Sequence, residues 1–293
     1  MSDELVSDWG WACILQARDA DWAACRATSF TVQGVGIEIR RGGAWHCAHA
    51  VDRPTRDLLD LFLPWVATAA PVAIAQIGQS LDGRIATASG ASHYINGDQA
   101  RTHLHRLRAL VDAVVVGVGT VNADDPQLTV RHVAGRNPVR VVLDPRGRAN
   151  PSARLFGDGL APTVHLVAAG LGAAESATAA DPSGAGVAVE RIELALGGTG
   201  FEPARVLAWL ARRGWRRVLV EGGGVTVSRF LQAGVLDRLH VLVAPLLIGA
   251  GPAGLMLPPI DRLDEAIRPP CRHFGCGDDV VFDLALRPLR DEP

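Results

Sequence analysis

The chain has 293 residues, a net charge of -2, 48% hydrophobic and 20% charged residues. That balance suits one large folded domain, alone or with a small appendage, and excludes a disordered chain or the strongly basic surface usual in nucleic-acid binding. All 29 residues counted as Lys plus Arg are arginine, which removes Walker-A loops, protein-kinase sites, pyridoxal and Schiff-base chemistry, and Ser–Lys hydrolysis.

No apolar run reaches the ~18 residues that mark a membrane span. Met1 to Gly10 carries Asp3, Glu4 and Asp8 and no basic stretch, so no signal peptide is expected. The five cysteines, Cys13, Cys25, Cys47, Cys271 and Cys276, form no C-x-x-C pair. Neither a disulfide framework nor a metal site is expected, and the cytoplasm is the default compartment.

Residues 1–70 read as a separate N-terminal extension. Phe30–Gln33 and Gly36–Arg40 read as two short strands of a hairpin, and Pro54 opens a helix to about Trp65. No chemical motif stands out there. From Pro71 strands alternate with helices, which places residues 71–293 in one α/β domain with a mostly parallel central sheet and helices on both faces. Val72–Ile77, Ala113–Val118, Val139–Asp144, Thr163–Val167 and Val187–Ile192 read as strands. So do Arg217–Glu221, Leu239–Ala244 and a last one at Val280–Leu284. Helices are expected over Asp98–Val111, Pro203–Arg213 and Thr226–Gln232, while Leu171–Gly186, rich in Ala, Gly and Ser, has mixed helix propensity.

Four segments could carry chemistry. The first runs from Arg217 through Glu221 to Gly222, Gly223 and Gly224, then Val225 and Thr226. A strand enters three glycines and then a helix start, where free N–H groups favour an anion such as a pyrophosphate. The competing reading is a tight turn without ligand, and the segment is not G-x-G-x-x-G. Glu221 lies at a strand's carboxyl end, where α/β ligands gather, and is either a ligand acceptor or a helix-dipole partner. The second segment is Gly117-Val118-Gly119-Thr120, then Asp124-Asp125-Pro126 and Leu128 to Arg131, read as one loop. The third, Gly78 to Ala86 and Ser89 to Ile95, is a polar loop with Ser92, His93 and Tyr94 near its end. The fourth is Asp144 to Arg148, in which Arg146 and Arg148 are candidates for a phosphate monoester or simply surface charge.

Taken in order, these words resemble the reductase domain of riboflavin biosynthesis, the C-terminal domain of the bifunctional pyrimidine deaminase/reductase. The matching stretches are S-L-D-G-R-I-A-T-A-S-G at Ser80–Gly90, H-R-L-R at His105–Arg108 and D-A-V-V-V-G-V-G-T-V at Asp112–Val121. A-D-D-P-Q-L-T-V-R at Ala123–Arg131, R-V-V-L-D at Arg140–Asp144, V-E-G-G at Val220–Gly223 and A-P-L-L-I-G at Ala244–Gly249 complete them.

The resemblance implies a dihydrofolate-reductase-like fold, a homodimer, and NADPH-dependent reduction of the ribosyl group of 5-amino-6-(5-phosphoribosylamino)uracil to a ribityl chain. It implies cofactor contacts at Gly78, Tyr94, Thr120, Asp124 and the stretch from Gly223 to about Arg229. Substrate contacts follow at Ser92, Arg108, Leu128, Arg131 and Glu221, with Arg108 and Arg131 on the phosphate. Asp124 is the catalytic candidate, and the charge of Arg146 and Arg148 assigns them to the cofactor 2′-phosphate. The deaminase's zinc set, H-x-E with P-C-x-x-C, has no counterpart, since Cys271 and Cys276 have the wrong spacing. Family members often carry Lys where this chain has Gln76, and Trp where it has Tyr94. A same-fold reductase of a dihydropterin or dihydrofolate is therefore the alternative, and a non-catalytic relative that only binds ligand is the rival from another class.

Overall fold

A computed structural model describes residues 3–92, 95–171, 177–179, 187–198 and 200–289. The chain divides into two compact units, Met1–Val72 with Pro288–Pro293, and Ala73–Arg287.

The first unit begins with a helix, α1 (Asp3–Asp19), followed by β1 (Ala27–Val32), β2 (Val35–Arg40), β3 (Trp45–Cys47) and α2 (Arg53–Val66). The hairpin between β1 and β2 turns at Gln33 and Gly34, both with positive φ, which suits the twist of a two-residue connection. Asp52 caps α2 by accepting the Thr55 N–H, and Pro54 sits in its first turn. α1 was not expected, because Gly10 and the small residues around it argue against a helix by propensity. The glycine serves packing: a Cβ there would stand 2.8 Å from the Thr55 methyl of α2. Trp11, Phe62 and Trp65 stack edge to face in the core, with centroids 6.1 and 6.0 Å apart.

The second unit runs β4 (Val72–Ser80), α3 (Asp98–Leu110), β5 (Ala113–Gly117), α4 (Val118–Asp124), β6 (Val139–Asp144), α5 (Arg154–Gly157) and β7 (Thr163–Ala168). It continues with β8 (Ala177–Ala179), β9 (Val187–Leu194), α6 (Pro203–Arg212), β10 (Arg217–Val220), α7 (Gly224–Gln232), β11 (Arg238–Ala244), β12 (Cys271–Cys276) and β13 (Asp279–Ala285). Among the described residues ten strands form one sheet, in the order β12-β13-β11-β4-β10-β5-β6-β7-β9-β8. The interior pairs β11–β4, β10–β5, β5–β6, β6–β7 and β7–β9 are parallel, and the antiparallel pairs lie toward the two edges. The α/β class with a mostly parallel central sheet flanked by helices is what the sequence pattern led one to expect.

Differences from that pattern have local causes. The stretch after β5 folds as α4 rather than as loop, so Thr120 and Asp124 project from a helix. β12 was not expected, because its residues Cys271–Phe274 are mostly exposed and its register comes from β13. Of Leu171–Gly186, most lies outside the described residues, and Ala177–Ala179 is a strand. Placing β10 between β4 and β5 matters most: it sets the carboxyl ends of β4, β10 and β5 side by side, the position where open α/β sheets hold ligands.

Candidate active site

Those three strand ends open onto a cleft of about 920 Å³. Gly78 near the end of β4, Gly117–Thr120 at and after the end of β5, and Glu221–Gly223 after β10 all line it. α3 contributes Arg101, Leu104 and Arg108, which share one face by their spacing of three and four residues. Leu107 and Leu110 turn to the core instead.

The glycines have mostly structural reasons. Gly222 has φ 101°, and a Cβ there would stand 2.7 Å from Thr120 Oγ1. A Cβ at Gly117 would stand 2.5 Å from Thr226 Oγ1. Gly224 is buried against the carbonyls of Ala253 and Gly254 and does not line the cleft. These positions are glycine so that the β5–α4 and β10–α7 connections can interlock, rather than only so that a ligand can approach. The interlock is completed by the Gly223 N–H, which donates to Thr120 Oγ1 at 2.9 Å. Gly223 itself is open, and as N-cap of α7 it brings no side-chain cap, so the helix start with Val225 and Thr226 faces the cleft uncapped.

Arg108 and Glu221 form a buried, two-pronged ion pair. Nε and Nη2 of Arg108 donate to the two Glu221 carboxylate oxygens at 2.8 and 2.7 Å, and Nη1 donates to the Thr129 carbonyl at 3.2 Å. These bonds engage three of the five Arg108 N–H groups, one on each guanidinium nitrogen, and leave two for the expected phosphate. Glu221 keeps lone pairs on its ligand side. Leu128, expected on the substrate, lines the cleft at 2% exposure with φ 56°, a left-handed conformation that costs a non-glycine residue about 1–2 kcal/mol. Carbonyl bonds on either side hold it there, from Arg140 to Gln127 and from Arg108 to Thr129.

Arg131 does not line the cleft. Its backbone N–H donates to His105 Nδ1 and its Nη1 to Thr129 Oγ1, which holds it just past Thr129. Burial, then the nearby Arg108 and Arg154, pull its pKa below the usual arginine value, so an arriving anion would relieve it. His105 stacks on His132 at 4.4 Å and is held down to about 3, chiefly by burial and then by Arg108, so it stays neutral and accepts the Arg131 N–H.

Asp124 is the last residue of α4 and is exposed on the cleft wall. Ser92, Thr120 and Arg148 also line the cleft, whereas Arg146 is exposed and does not reach it, because the turn after β6 directs it elsewhere. Tyr94 and His93 lie outside the described residues. Gln76 is buried on β4, lines the cleft and pairs in register with His240 of β11.

The S-L-D-G-R segment does structural work. Asp82 accepts from Ser80 Oγ and from the Ile248 and Gly249 N–H groups, and these bonds, Ser80's first, lower its pKa to about 2. Arg84 donates to the carbonyls of Gly249 and Gly251, so the segment clasps the loop after β11. Sequence reasoning overlooked Asn96, Arg101, Phe201 and Pro203 as cleft residues and did not single out Arg229 from its stretch. Arg101 could have been found from its spacing to Leu104 and Arg108. The other three carry no local signal.

Similarity to known proteins agrees with this geometry. The model of the RibD C-terminal domain family matches residues 71–264. The chain belongs to this family. The 2,5-diamino-6-ribosylamino-4(3H)-pyrimidinone 5′-phosphate reductase of Methanothermobacter thermautotrophicus is 35% identical over 74% of this chain and 99% of its own length. The riboflavin biosynthesis protein RibD of Aquifex aeolicus is 32% identical over 75% of this chain and 59% of its own length. A crystal structure of the deaminase/reductase of Thermotoga maritima superposes with a TM-score of 0.58 at 27% identity, over 79% of this chain and 61% of that one. The chain thus spans nearly all of the archaeal relative and about three fifths of the two bacterial ones. The RibD reductases are nicotinamide-dependent oxidoreductases of riboflavin biosynthesis with a dihydrofolate-reductase-like fold, and this chain is one of them. Among the described residues no helix is long and apolar enough to cross a membrane.

Proposed function

We propose that the chain reduces the ribosyl group of 5-amino-6-(5-phosphoribosylamino)uracil to a ribityl chain, with NADPH as the hydride donor. The observation that carries this reading is one cleft with two differently built regions. One is the buried Arg108–Glu221 pair beside Leu128; the other is the uncapped start of α7 with Arg229 and Arg148. The first suits a heterocycle with ring N–H groups. The second suits a dinucleotide's phosphates, since neither arginine is in an ion pair among the described residues. Gly223, which has room beside Thr120, and Gly78 would sit against that cofactor, with Tyr94 close by in sequence.

When bound, NADPH supplies hydride to the first carbon of the opened sugar. The chain's own residues align the partners and exclude water. Leu104, Leu128 and Phe201 give the cleft apolar walls. Glu221, oriented by Arg108, accepts hydrogen bonds from the pyrimidine. Arg131 meets the substrate phosphate, Ser92 its sugar, and Asp124 holds the proton needed as charge develops on the imine nitrogen, which stays bonded to the sugar's first carbon as an amine. This catalytic unit comprises residues 71–293, with residues 1–70 as an appended unit. Five free cysteines support a cytoplasmic location. Exposed Leu247, Leu263 and Ile267 support a homodimer.

The archaeal relative favours a second substrate, the 2-amino pyrimidinone counterpart. Its adjacent ring and amino N–H groups match a carboxylate such as Glu221. The test is NADPH oxidation with the uracil phosphate, with its 2-amino counterpart and with dihydrofolate. Turnover of the uracil phosphate supports the first reading, and turnover of the 2-amino compound alone supports the second. Oxidation with dihydrofolate alone rejects both, and NADPH binding without any oxidation marks a non-catalytic relative.

A further inference from the structure

The cleft floor holds a polar group that the chain itself leaves unmatched. β4 presents Gln76 and Gly78 on one face through its two-residue period, and both line the cleft. Asn96, two residues before α3, lies directly over Gly78: its Oδ1 occupies the space that a Cβ at Gly78 would need. Its Nδ2 is buried and has no hydrogen-bond partner among the described residues. The main chain behind it is anchored: the Gly97 N–H donates to Asp279 Oδ2 at 2.8 Å, and α3 begins immediately after. Burying an unmatched N–H is unfavourable, and native proteins rarely leave one so. Here the residue that carries the unmatched donor lines the cleft, and its main chain is held from behind.

We propose that Asn96 is a ligand-recognition residue whose Nδ2 donates to an uncharged acceptor oxygen of a molecule bound in the cleft. The inference rests on the reductase reading above. A neutral amide selects for a carbonyl, carboxamide or hydroxyl oxygen rather than a phosphate, for which arginine is the better match. Both the dinucleotide and the phosphorylated pyrimidine carry such oxygens, and the experiment separates them.

The variants are Asn96→Ala, which removes the donor, and Asn96→Asp, which keeps the shape but turns a donor into a charged acceptor. Three quantities are read: NADPH Kd by fluorescence titration, KM and kcat for the pyrimidine phosphate, and Tm of the ligand-free protein. Since the bond is unmade without ligand, Asn96→Ala should leave Tm unchanged and weaken one ligand by about tenfold. Asn96→Asp should weaken the same ligand further. A raised NADPH Kd puts the oxygen on the dinucleotide, and a raised KM with unchanged NADPH Kd puts it on the pyrimidine. Gly78→Ala should reproduce the loss by displacing the amide, and should add little in the Asn96→Ala background.

Wild-type binding constants in both Asn96 variants overturn the proposal, as does a fall in Tm with ligand constants intact. Wild-type protein that neither binds NADPH nor turns over rejects the functional reading and this inference with it. Active wild type with silent Asn96 variants rejects this inference alone.

Discussion

Arg108 lies fork to fork on Glu221, two N–H groups on two carboxylate oxygens at 2.8 and 2.7 Å, across 113 residues of sequence. Both side chains are buried, so each needs the other's charge. Arg108→Ala or Glu221→Ala should each cost about 3–5 kcal/mol, because the remaining charge stays buried without a partner. The double variant should cost clearly less than the two singles together. Arg108→Lys should not restore stability, since a point-like ammonium cannot span both oxygens. Urea unfolding of the wild type and the four variants checks this, and additive losses would show that the two residues do not act as a unit.

Much of the sheet was readable because its strands are buried on both faces. Ala113–Val116, Val141–Val142 and Val218–Val220 are apolar without alternation and read as central parallel strands. The cleft residues Gly78, Thr120, Leu128, Glu221 and Gly223 were also readable, since they stand at strand ends or in recognisable words. What escaped is three-dimensional. A glycine in sequence does not reveal whether ligand or protein fills the space beside it, and at Gly117 and Gly222 that space belongs to Thr226 and Thr120. The Arg108–Glu221 pair depends on α3 crossing the end of β10, which no local pattern encodes. Arg146 and Arg148 are two residues apart in one turn, and only the backbone course decides which one reaches the cleft.

Asp124 projects into the cleft from the end of α4. Asp124→Asn keeps the shape and removes the capacity to hold a proton. A positioned acid or base contributes about 10²–10⁴-fold, so kcat should fall by at least about a hundredfold while NADPH Kd stays near wild type. Steady-state rates with titrated NADPH read both values. Near-normal kcat with both ligands bound would remove Asp124 from the chemistry.

Arg148 and Arg229 line the cleft and Arg146 does not. If either lining arginine meets the 2′-phosphate, its change to Ala should cut the preference for NADPH over NADH. A hydrogen bond to a charged group is worth about 1.5–3 kcal/mol, or roughly 10- to 100-fold in that ratio. Arg146→Ala should leave the ratio alone. The ratio of kcat/KM for the two cofactors measures it, and an unchanged ratio in both Arg148→Ala and Arg229→Ala would place the phosphate elsewhere.

His103 of α3 and His240 of β11 face each other in the core, with Nε2 and Nδ1 3.0 Å apart. His240 Nε2 lies 3.3 Å from Asp283 Oδ1, and Arg238 and Arg272 pair with the same carboxylate. Arg106 adds positive charge beside His103. Burial is the main reason both imidazoles are held below their usual 6.5. Below about pH 6.5 the unfolded chain therefore binds protons that the folded chain refuses, and stability must fall as pH falls. Each histidine contributes a slope of up to about 1.4 kcal/mol per pH unit until its folded pKa is reached. Burial alone would raise the Asp283 carboxyl, but His240 and Arg238 beside it hold it well below its usual 3.8. Its stabilisation persists above that value and is lost only in stronger acid, so the histidines set the slope between pH 6.5 and 4. His103→Gln, which removes one of these protons, should flatten the slope measured by urea unfolding at a series of pH values. An identical slope in wild type and variant would mean that His103 does not stay neutral in the folded protein.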